Sequence, residues 1–480
     1  MKYKKALFIN PYPGNSVTAA MMAFPPTGLE YVAQSAREVA DKVTLLDLRY
    51  EKELAVPAQL NKFIKQEADI IGVGIGWDRQ IKEIMALLNS FPVGMPLVVG
   101  GYTATEKVEE FFKDCPRIDV IVRGEGEQTI KDILNGVAWE SIPGMSFRRD
   151  KKITHNPNRP LVDVDNIPWP NRTLRRGEYS LVMNGFRVPG LSFDTVLTAR
   201  GCPYNCKFCT FTMNPLGQKR EYSARGVKSV LDEIESLKAK IILFSDENFS
   251  LEPARAEAIC DGLIERKIKK RYVVQTRVEI ARYPRLLEKM VRAGFKLLLV
   301  GVESPHDRIL LQLNKGFDSK TLRQYFKVLK KYPFHYHGYF IYGNVTETRQ
   351  EMLYIPKFAV ELGLDSIAAM KLRIDKYSSL RGLVESTAGY HIDDGGLAYS
   401  DALSVSDLKK VGRQIKFTFY TPARIVKIIG KCLFTVKLFS FKEAASFLLF
   451  FPVTIAALIA RDLKRGRLAD SLKRMFVNNT

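Results

Sequence analysis

Two series of alternating apolar and amphipathic segments constrain the fold of this 480-residue chain more than any other feature. The first series covers residues 4–134, where near-continuous apolar stretches indicate strands that are buried on both faces. These stretches are 6–10, 42–46, 69–75, 97–100 and 119–122. Helical patterns fill the gaps, near 28–40, 55–66, 79–90, 104–113 and 127–135. Residues 1–140 are therefore predicted to form a five-stranded, doubly wound α/β domain.

The second series predicts a (β/α)6 partial TIM barrel over residues 193–384. Six strand-like stretches occur in it, and each except the last is followed by a helical pattern. They lie near 193–199, 240–245, 271–276, 296–301, 336–342 and 365–372. The reactive face of such a barrel lies at the carboxyl ends of its strands. Residues 141–192 contain six prolines and are predicted to be a linker that packs on both domains.

Residues 385–480 are predicted to form a basic, helical C-terminal region. The net charge of the chain is +21, and residues 405–480 contain 15 Lys and Arg against 4 Asp and Glu. An uncharged run at 444–460, interrupted by Pro452, is short for a membrane-spanning helix. Two interpretations stay open: an interfacial helix on anionic lipid, or a helical cap over the barrel with a solvated basic face. Nucleic acid is not an expected partner, because no recognition motif accompanies the charge.

The cysteines indicate reduced thiols that act as metal ligands. Three of the six lie within eight residues, whereas Cys115, Cys260 and Cys432 are scattered, which is not a disulfide framework. The N-terminus shows no cleavable signal peptide. We therefore expect a cytoplasmic protein, with peripheral contact to the inner membrane face as a further hypothesis.

The clustered cysteines, Cys202, Cys206 and Cys209, have the spacing C-x3-C-x2-C and follow a predicted barrel strand. A structural zinc site requires four protein ligands, and no fourth cysteine or histidine is near. Three thiolates fit a cubane that keeps one iron open for another ligand. An incomplete zinc site and three buried structural cysteines are the alternatives.

This motif, with Phe208 before the last cysteine, resembles the signature of the radical S-adenosylmethionine superfamily. In that family the open iron of a [4Fe-4S] cluster chelates S-adenosylmethionine, and one electron cleaves it to a 5'-deoxyadenosyl radical. The resemblance implies a low-potential electron donor, such as flavodoxin or ferredoxin, as a partner.

Polar residues at the ends of the next barrel strands support this resemblance. Asp246 and Glu247 end the second strand and are expected to bind the methionine ammonium group. Gln275 and Arg277 end the third strand, within reach of the methionine or the ribose. Each pair alone also fits an ordinary turn, but their shared position favours a cofactor site.

The fourth and fifth strands end in the same way. Gly301, Glu303 and Ser304 end the fourth strand, where Glu303 is expected to accept hydrogen bonds from ribose hydroxyls. Gly343 ends the fifth strand, where a glycine would let the backbone approach adenine.

Small residues follow the strands of the first domain, at the edge where doubly wound domains bind ligands. The candidate ligand-binding residues are Asn10, Pro11, Gly72, Gly74, Gly100, Gly101, Tyr102, Thr103, Gly124, Glu125 and Gly126. The arrangement is similar to the flavodoxin-like cobalamin-binding domain that precedes the radical core in one large subgroup of the superfamily. Residues 1–154 contain no histidine, so bound cobalamin is expected to lack a protein imidazole on cobalt. The alternatives are a degenerate domain and, less favoured by the glycine spacing, dinucleotide binding.

The resemblance implies a cobalamin-dependent enzyme that methylates an unactivated carbon of a small, lipophilic or natural-product substrate. One alternative is a non-methylating radical enzyme that performs oxidative cyclisation or carbon-carbon bond formation on a porphyrin or lipid. A second alternative is a corrinoid- or metal-binding module without radical turnover. No catalytic base or nucleophile is predicted, because the cofactors perform the difficult chemistry.

Overall fold

The computed structural model of the protein describes residues 3–12, 24–78, 80–150, 152–183, 186–209 and 213–446. Its first domain contains a seven-stranded sheet of order β2-β1-β3-β4-β5-β6-β7. The first five strands are parallel, in the flavodoxin-like order 2-1-3-4-5. The strands are β1 (Lys5–Asn10), β2 (Lys42–Asp47), β3 (Ile70–Gly74), β4 (Leu97–Gly100), β5 (Val120–Val122), β6 (Met145–Arg149) and β7 (Lys152–His155). The prediction of a five-stranded doubly wound domain is confirmed.

Helices cover both faces of this sheet. They are α1 (Thr27–Arg37), α2 (Pro57–Glu67), α3 (Ile81–Asn89), α4 (Tyr102–Glu106), α5 (Val108–Asp114) and α6 (Glu127–Leu134). Successive residues of β1 point to opposite faces, so Leu7 and Ile9 join one core while Ala6 and Phe8 join the other. This double burial explains why the strands are almost continuously apolar in sequence.

The segment predicted as a linker, 141–192, instead contributes strands to both sheets. The hairpin of β6 and β7 pairs antiparallel with β5. The strand β8 (Ser180–Met183) and the first residues of β9 (Phe186–Val196) belong to the second sheet. Pro143 and Pro157 lie just outside the β6-β7 hairpin, where a missing N–H does not interrupt the ladder. Because of the prolines in this segment, the sequence predicts a linker and not these strands.

The second sheet has the order β16-β15-β14-β13-β12-β9-β8, with six parallel strands and β8 antiparallel at one edge. This arrangement confirms the predicted (β/α)6 partial barrel. Its further strands are β12 (Ile241–Phe244), β13 (Arg271–Thr276), β14 (Phe295–Glu303), β15 (His335–Tyr342) and β16 (Ser366–Lys371). A short ladder of β10 (Ala199–Arg200) and β11 (Ser223–Ala224) lies beyond β9.

Helices pack outside the half-barrel around one large core. They are α7 (Val227–Ser236), α8 (Pro253–Glu265), α9 (Pro284–Ala293), α10 (Asp307–Gln312), α11 (Ser319–Leu329), α12 (Arg349–Leu353) and α13 (Ile355–Leu362). A smaller apolar cluster is built from Leu191, Ile241 and Val273, with Leu297 and Phe439 packed against it. Phe439 comes from the C-terminal region, so that region helps to complete the barrel.

The sequence predicts a helical C-terminal region, but the structure also contains a two-stranded hairpin there. The helix α14 (Arg381–Ser386) is followed by β17 (Tyr390–Ile392) and β18 (Ala398–Ser400). Then come α15 (Val405–Phe419), α16 (Pro422–Gly430) and a π-helical turn at Lys431–Thr435. The inward face of α15 joins the barrel core through Leu408, Val411, Ile415 and Phe419. Most of the uncharged run 444–460 lies outside the described residues.

Residues 420–443, here called the floor strap, cross the half-barrel at the amino ends of its strands. The Tyr420 hydroxyl donates to the Ile367 carbonyl (2.7 Å) and accepts from the Ile367 N–H (2.8 Å) on β16. At the other end, Arg271 of β13 binds the Leu438 carbonyl (2.8 Å) and the Glu443 carboxylate (2.6 Å). For this part of the chain the structure supports the cap interpretation.

Candidate functional site

The three clustered cysteines lie in the loop that follows β10, at the carboxyl end of the barrel strands. The loop begins at Gly201, whose φ of +88° favours glycine, and a Cβ there would lie 2.3 Å from the Glu221 carbonyl oxygen. The Cys209 N–H donates to the Cys206 carbonyl (3.1 Å), which turns the chain between these two ligands. The positive φ of Gly201 and the turn between Cys206 and Cys209 therefore determine where the cysteines lie.

The segment that follows β14 and α10 holds the same loop in place. The Lys207 N–H donates to the Leu313 carbonyl (3.1 Å), and the Asn314 side-chain amide donates to the Asn205 carbonyl (2.8 Å). Phe208 packs against the apolar cluster that contains Leu313. The aromatic residue before the last cysteine thus anchors the loop.

The donor set of the loop, three thiolates, suits a cubane with one open iron better than a four-ligand zinc site. Within the described ranges, no group of three His, Cys, Asp or Glu side chains could hold one metal ion. A tetrahedral zinc needs its ligands within bonding distance of one point. In a cubane each cysteine binds a different iron, so the thiols stand farther apart.

Asp246 is buried and bound to the strand that leads into this loop. Its carboxylate accepts hydrogen bonds from the Thr198 N–H (2.6 Å), the Ala199 N–H (3.1 Å) and the Thr198 hydroxyl. Burial raises the pKa of Asp246, while these donors lower it. Three donors thus hold Asp246 against the cysteine loop, and its expected contact with a methionine ammonium group stays a prediction.

Glu247 instead presents an unpaired carboxylate oxygen. Its Oε2 atom is buried and has no hydrogen-bond partner within the described residues. Burial raises the pKa of Glu247 to about 7, and the nearby Asp246 carboxylate adds to this effect. A buried acceptor without a donor is costly, and a ligand ammonium group would satisfy it. Of the predicted pair, Glu247 is therefore the residue that fits S-adenosylmethionine.

The sequence predicts that Arg277 reaches a ligand, but in the structure other protein groups bind its guanidinium. Its Nε and Nη2 donate to Glu279 Oε1 (3.0 and 2.7 Å), and Nη2 also donates to the Lys315 carbonyl (2.5 Å). Its Nη1 lies 3.5 Å from Cys206 Sγ. Gln275, two residues earlier, is half-buried near the end of β13, and its carbonyl accepts from the Phe249 N–H (2.9 Å). The expected contact of Gln275 with a cofactor stays a prediction.

The end of β14 holds a second buried ion pair. Lys315 Nζ lies 3.1 Å from Glu303 Oε1, and both side chains are almost fully buried. Glu303 adopts φ +68°, which is strained for a residue with a side chain, and a Cβ at Gly301 would lie 2.5 Å from its Oε1. The neighbouring Ser304 accepts from the His306 N–H (3.2 Å). The predicted ribose contact of Glu303 would therefore form beside Lys315.

Gly343 is required by local structure. Its φ is +76°, and a Cβ would lie 3.2 Å from the Leu408 side chain on α15. Helix packing therefore accounts for this glycine without the predicted approach of adenine.

Two predicted ligand residues of the first domain, Gly72 and Gly74, pack tightly against neighbouring side chains. A Cβ at Gly72 would lie 2.6 Å from the Phe8 ring, and one at Gly74 would lie 3.1 Å from Leu29. These glycines let a neighbouring side chain and α1 approach β3, so packing accounts for both of them, and their assignment to the ligand edge stays a prediction. Asn10, at the end of β1, donates to Asp47 Oδ1 (3.0 Å), and Pro11 follows it as a buried residue.

The edge beyond β3 and β4 combines glycines with an exposed aromatic side chain. Gly100 has only ordinary contacts for an added Cβ, whereas Gly101, at φ +103°, would place one 2.6 Å from the Ile75 carbonyl oxygen. The Thr103 N–H, in the first turn of α4, donates to this same carbonyl (3.2 Å). Trp77 is 60% exposed at this edge. A flat corrin ring fits an edge that combines glycines with an exposed indole.

The loop after β5 connects the two domains. Gly124, at φ +77°, donates its N–H to Thr105 Oγ1 (3.1 Å), and a Cβ at Gly126 would lie 3.2 Å from Val32 of α1. Between them, Glu125 lies 3.4 Å from Arg200, two residues before the first cluster cysteine. The motif matched to cobalamin-binding domains thus also holds the cluster loop.

A cavity of about 200 Å³ lies between the domains. Its walls come from the cysteine loop and from the segment after β16, and the ligand edge of the first domain contributes one residue, Tyr102. They include Tyr102, residues 205–209 and residues 375–379, with Met213 and Pro215. Burial raises the pKa of Tyr102, and the nearby carboxylates of Asp375 and Glu106 raise it further. The phenol stays protonated and can donate a hydrogen bond into this space.

Sequence reasoning missed several residues of this site. Asp375 follows the sixth barrel strand, and the rule applied to the earlier strand ends would have found it. Trp77 directly follows the glycine-rich run after β3. Lys315 lies in a loop after α10, and Tyr204 lies between two of the cysteines; no sequence signal distinguished either one.

Comparisons with known proteins agree with this arrangement. Residues 196–359 match the family model of the radical SAM superfamily, and residues 17–134 match that of the B12 binding domain. An uncharacterised methyltransferase from Pyrococcus horikoshii is 29% identical over 377 residues, which are 76% of this chain and 80% of that protein. The anaerobic magnesium-protoporphyrin IX monomethyl ester cyclase of Synechocystis is 24% identical, over 68% of this chain and 66% of that protein.

The fold is also found among solved structures. The radical S-adenosylmethionine methyltransferase TsrM from Kitasatospora setae, solved with cobalamin and a [4Fe-4S] cluster, aligns with a TM-score of 0.68 at 15% identity. The alignment covers 88% of this chain and 90% of TsrM. This likeness shows the fold. The two matched domains and the cysteine motif place the chain in the family of cobalamin-dependent radical S-adenosylmethionine enzymes, whose cofactors are a [4Fe-4S] cluster, S-adenosylmethionine and cobalamin.

Proposed function

We propose that this protein transfers a methyl group to an unactivated carbon of a small molecule held between its two domains. The interdomain cavity carries this proposal, because Tyr102 of the ligand edge and the cysteine loop both line it. An acceptor there would contact both cofactor sites. When bound, the cluster and S-adenosylmethionine supply a hydrogen-abstracting radical, and cobalamin supplies the methyl group.

The residues of the chain hold and orient these groups. Cys202, Cys206 and Cys209 would hold the cluster, and Glu247 would hold the ammonium group of S-adenosylmethionine. The edge that contains Gly100, Gly101, Tyr102, Thr103 and Trp77 would hold the corrinoid.

A lipophilic acceptor fits the lining of the cavity. Phe208, Met213, Pro215, Tyr102 and Tyr377 contribute apolar or aromatic surface, while Lys207 and Asp375 add charge. Binding sites for small molecules commonly combine an apolar lining with a few polar groups that fix orientation.

Oxidative cyclisation is a second candidate function. Several relatives, 24–28% identical, are named anaerobic magnesium-protoporphyrin IX monomethyl ester cyclases. A cyclase would use the radical without transferring a methyl group.

We propose a low-potential flavodoxin or ferredoxin as electron donor. Apart from the cluster loop, the cysteines of the chain are Cys115, Cys260 and Cys432, and each is buried in a different part of the fold. Within the described residues they cannot form a second cluster, so the donor would pass its electron directly to the cluster in the cysteine loop.

We also propose contact with an anionic membrane surface through the floor strap and the preceding turn of α15. Phe417, Val426, Phe434 and Phe441 are each between 63% and 77% exposed, and Ile429 lies one turn from Val426 on the same helix face. Residues 408–442 contain nine Lys and Arg and no Asp or Glu. Exposed apolar residues among basic ones are typical of surfaces that bind anionic lipid.

This face lies at the amino ends of the barrel strands, whereas the cysteine loop lies at their carboxyl ends. Membrane attachment and a lipophilic substrate are therefore separate proposals. No helix among the described residues combines the length and apolarity that crossing a bilayer requires.

The products of S-adenosylmethionine turnover test the proposed function. Anaerobic, cobalamin-loaded protein is incubated with a low-potential reductant and S-adenosylmethionine, and nucleosides are quantified by mass spectrometry. Methyl transfer predicts both S-adenosylhomocysteine, formed only with cobalamin, and 5'-deoxyadenosine. Formation of 5'-deoxyadenosine alone would favour the cyclase, and formation of neither would contradict both functions.

Replacing one cluster ligand should remove the cluster. We expect Cys206→Ala to lose most iron and sulfide after anaerobic reconstitution and to form no 5'-deoxyadenosine, because the loop provides only three thiolates. Cys260→Ala, a buried cysteine in the barrel core, is the matched control and should keep its iron. Tightly bound zinc in the wild-type protein, without iron and sulfide, would contradict the assignment.

Neutralising Glu247 should weaken S-adenosylmethionine binding. A hydrogen bond to a charged group contributes about 1.5–3 kcal/mol, so Glu247→Gln is expected to raise Kd by roughly 10- to 150-fold. Equilibrium dialysis on cluster-loaded protein measures this change. Glu235→Gln, an exposed carboxylate bound to Arg266, is the control. An unchanged Kd in Glu247→Gln would show that the ammonium group binds elsewhere.

Vesicle flotation tests the membrane contact. Wild-type protein should float with vesicles that contain phosphatidylglycerol, in a salt-sensitive way, and not with pure phosphatidylcholine vesicles. The double variant Val426→Asp, Phe434→Asp should lose most of this binding, whereas Leu311→Asp, an exposed apolar residue of α10, should keep it. Equal flotation of all three proteins would contradict the assignment of membrane binding to this surface. Loss of a dimer in the double variant, measured by light scattering, would assign the surface to a second copy of the chain instead.

A further inference from the structure

A buried guanidinium group lies against one of the cluster thiols. Arg277 is 8% exposed, and its Nη1 lies 3.5 Å from Cys206 Sγ, within hydrogen-bond distance for sulfur. Cysteine spacing alone gives no sign of this contact, because Arg277 comes from the end of β13, 71 residues away.

The guanidinium is held in this position by the rest of its surroundings. Glu279 and the Lys315 carbonyl together engage its Nε and Nη2, which leaves Nη1 directed at the sulfur. The centre of the Tyr204 ring, in the cysteine loop itself, lies 3.8 Å from the guanidinium carbon. The Phe317 ring lies near it as well, 5.4 Å away. Three independent elements thus determine the direction of the Nη1–H group.

A donor aimed at a cluster sulfur affects the two oxidation states differently. One electron from the donor protein makes the cluster more negative by one charge. A hydrogen bond and a nearby positive charge stabilise the more negative state, and hydrogen bonds to the sulfurs are among the features that set cluster potentials.

We propose that Arg277 is a positioning residue that raises the reduction potential of the cluster through its hydrogen bond to Cys206. This inference rests on cluster binding by the three cysteines and not on methyl transfer. It replaces the direct contact with S-adenosylmethionine that the sequence suggested for this residue.

The neighbouring Glu279 makes net charge a competing explanation. Its carboxylate pairs with Arg277 (2.7 Å), so removal of the arginine alone would also leave a negative charge near the cluster. The double variant Arg277→Met, Glu279→Gln removes the hydrogen bond and keeps the summed charge of the pair. Methionine also preserves an unbranched stem between the Tyr204 and Phe317 rings.

Redox titration of the reconstituted full-length protein, followed by electron paramagnetic resonance of the reduced cluster, tests the proposal. The titration contains neither substrate nor cobalamin, so its result does not depend on the proposed methyl transfer. For the double variant we expect about a tenfold lower ratio of reduced to oxidised cluster at a fixed potential, equivalent to about 59 mV. The midpoint potential of Arg277→Met alone should shift further in the same direction. The midpoint of Arg282→Gln, which changes an exposed arginine five residues further along the chain, should not shift.

An unchanged midpoint in the double variant would overturn the proposal, because the effect of Arg277 would then be one of net charge or packing. If the Met variants hold no cluster, the same titration on Arg277→Lys decides the question. Lysine keeps the charge but cannot make the contacts to Glu279, Lys315 and Cys206 together, so a lower midpoint supports the hydrogen bond and an unchanged one contradicts it.

Discussion

The side chain of Arg200 joins the two domains at the point where the cysteine loop begins. Its guanidinium lies 2.6 Å from Glu127 and 3.4 Å from Glu125, and it packs over the Tyr31 ring at 5.2 Å. Burial disfavours its charge, but Glu127 and Glu125 raise the pKa of Arg200 above its ordinary value. Removing one partner of such a buried pair commonly costs about 3–5 kcal/mol. The position of one cofactor site relative to the other therefore depends on this group of charges.

Among the buried carboxylates around the barrel mouth, Asp246 and Glu303 are paired with donors of the protein, and Glu247 is the exception. Asp246 is satisfied by Thr198 and Ala199, and Glu303 is paired with Lys315. Glu247 alone among these three carboxylates keeps a buried oxygen without a donor within the described residues. Satisfied groups fix the walls of the site, whereas an unsatisfied one marks where a ligand completes it.

Much of the fold could be predicted from sequence, because strands buried on both faces have a distinctive apolar pattern. The two parallel sheets and the six-stranded half-barrel follow from that pattern and from the rules for parallel sheets, whereas the flavodoxin-like strand order is implied only by the resemblance to cobalamin-binding domains. The β6-β7 hairpin could not be predicted, because an edge hairpin is half-exposed and rich in charged residues. For the site, sequence indicated the correct end of each strand but not the partner of each side chain. Gly72 makes room for Phe8, and Arg277 contacts Cys206, because residues far apart in sequence meet there.

The Tyr420 hydroxyl has a consequence for the open side of the half-barrel. A barrel of six strands leaves β16 as an edge strand, and exposed edges pair readily with strands of other molecules. Tyr420 occupies both the N–H and the carbonyl of Ile367, near the start of that edge. A side chain thus takes the place of the missing seventh strand there, and at Ile367 the edge has no free N–H or carbonyl that could pair with a strand of another molecule.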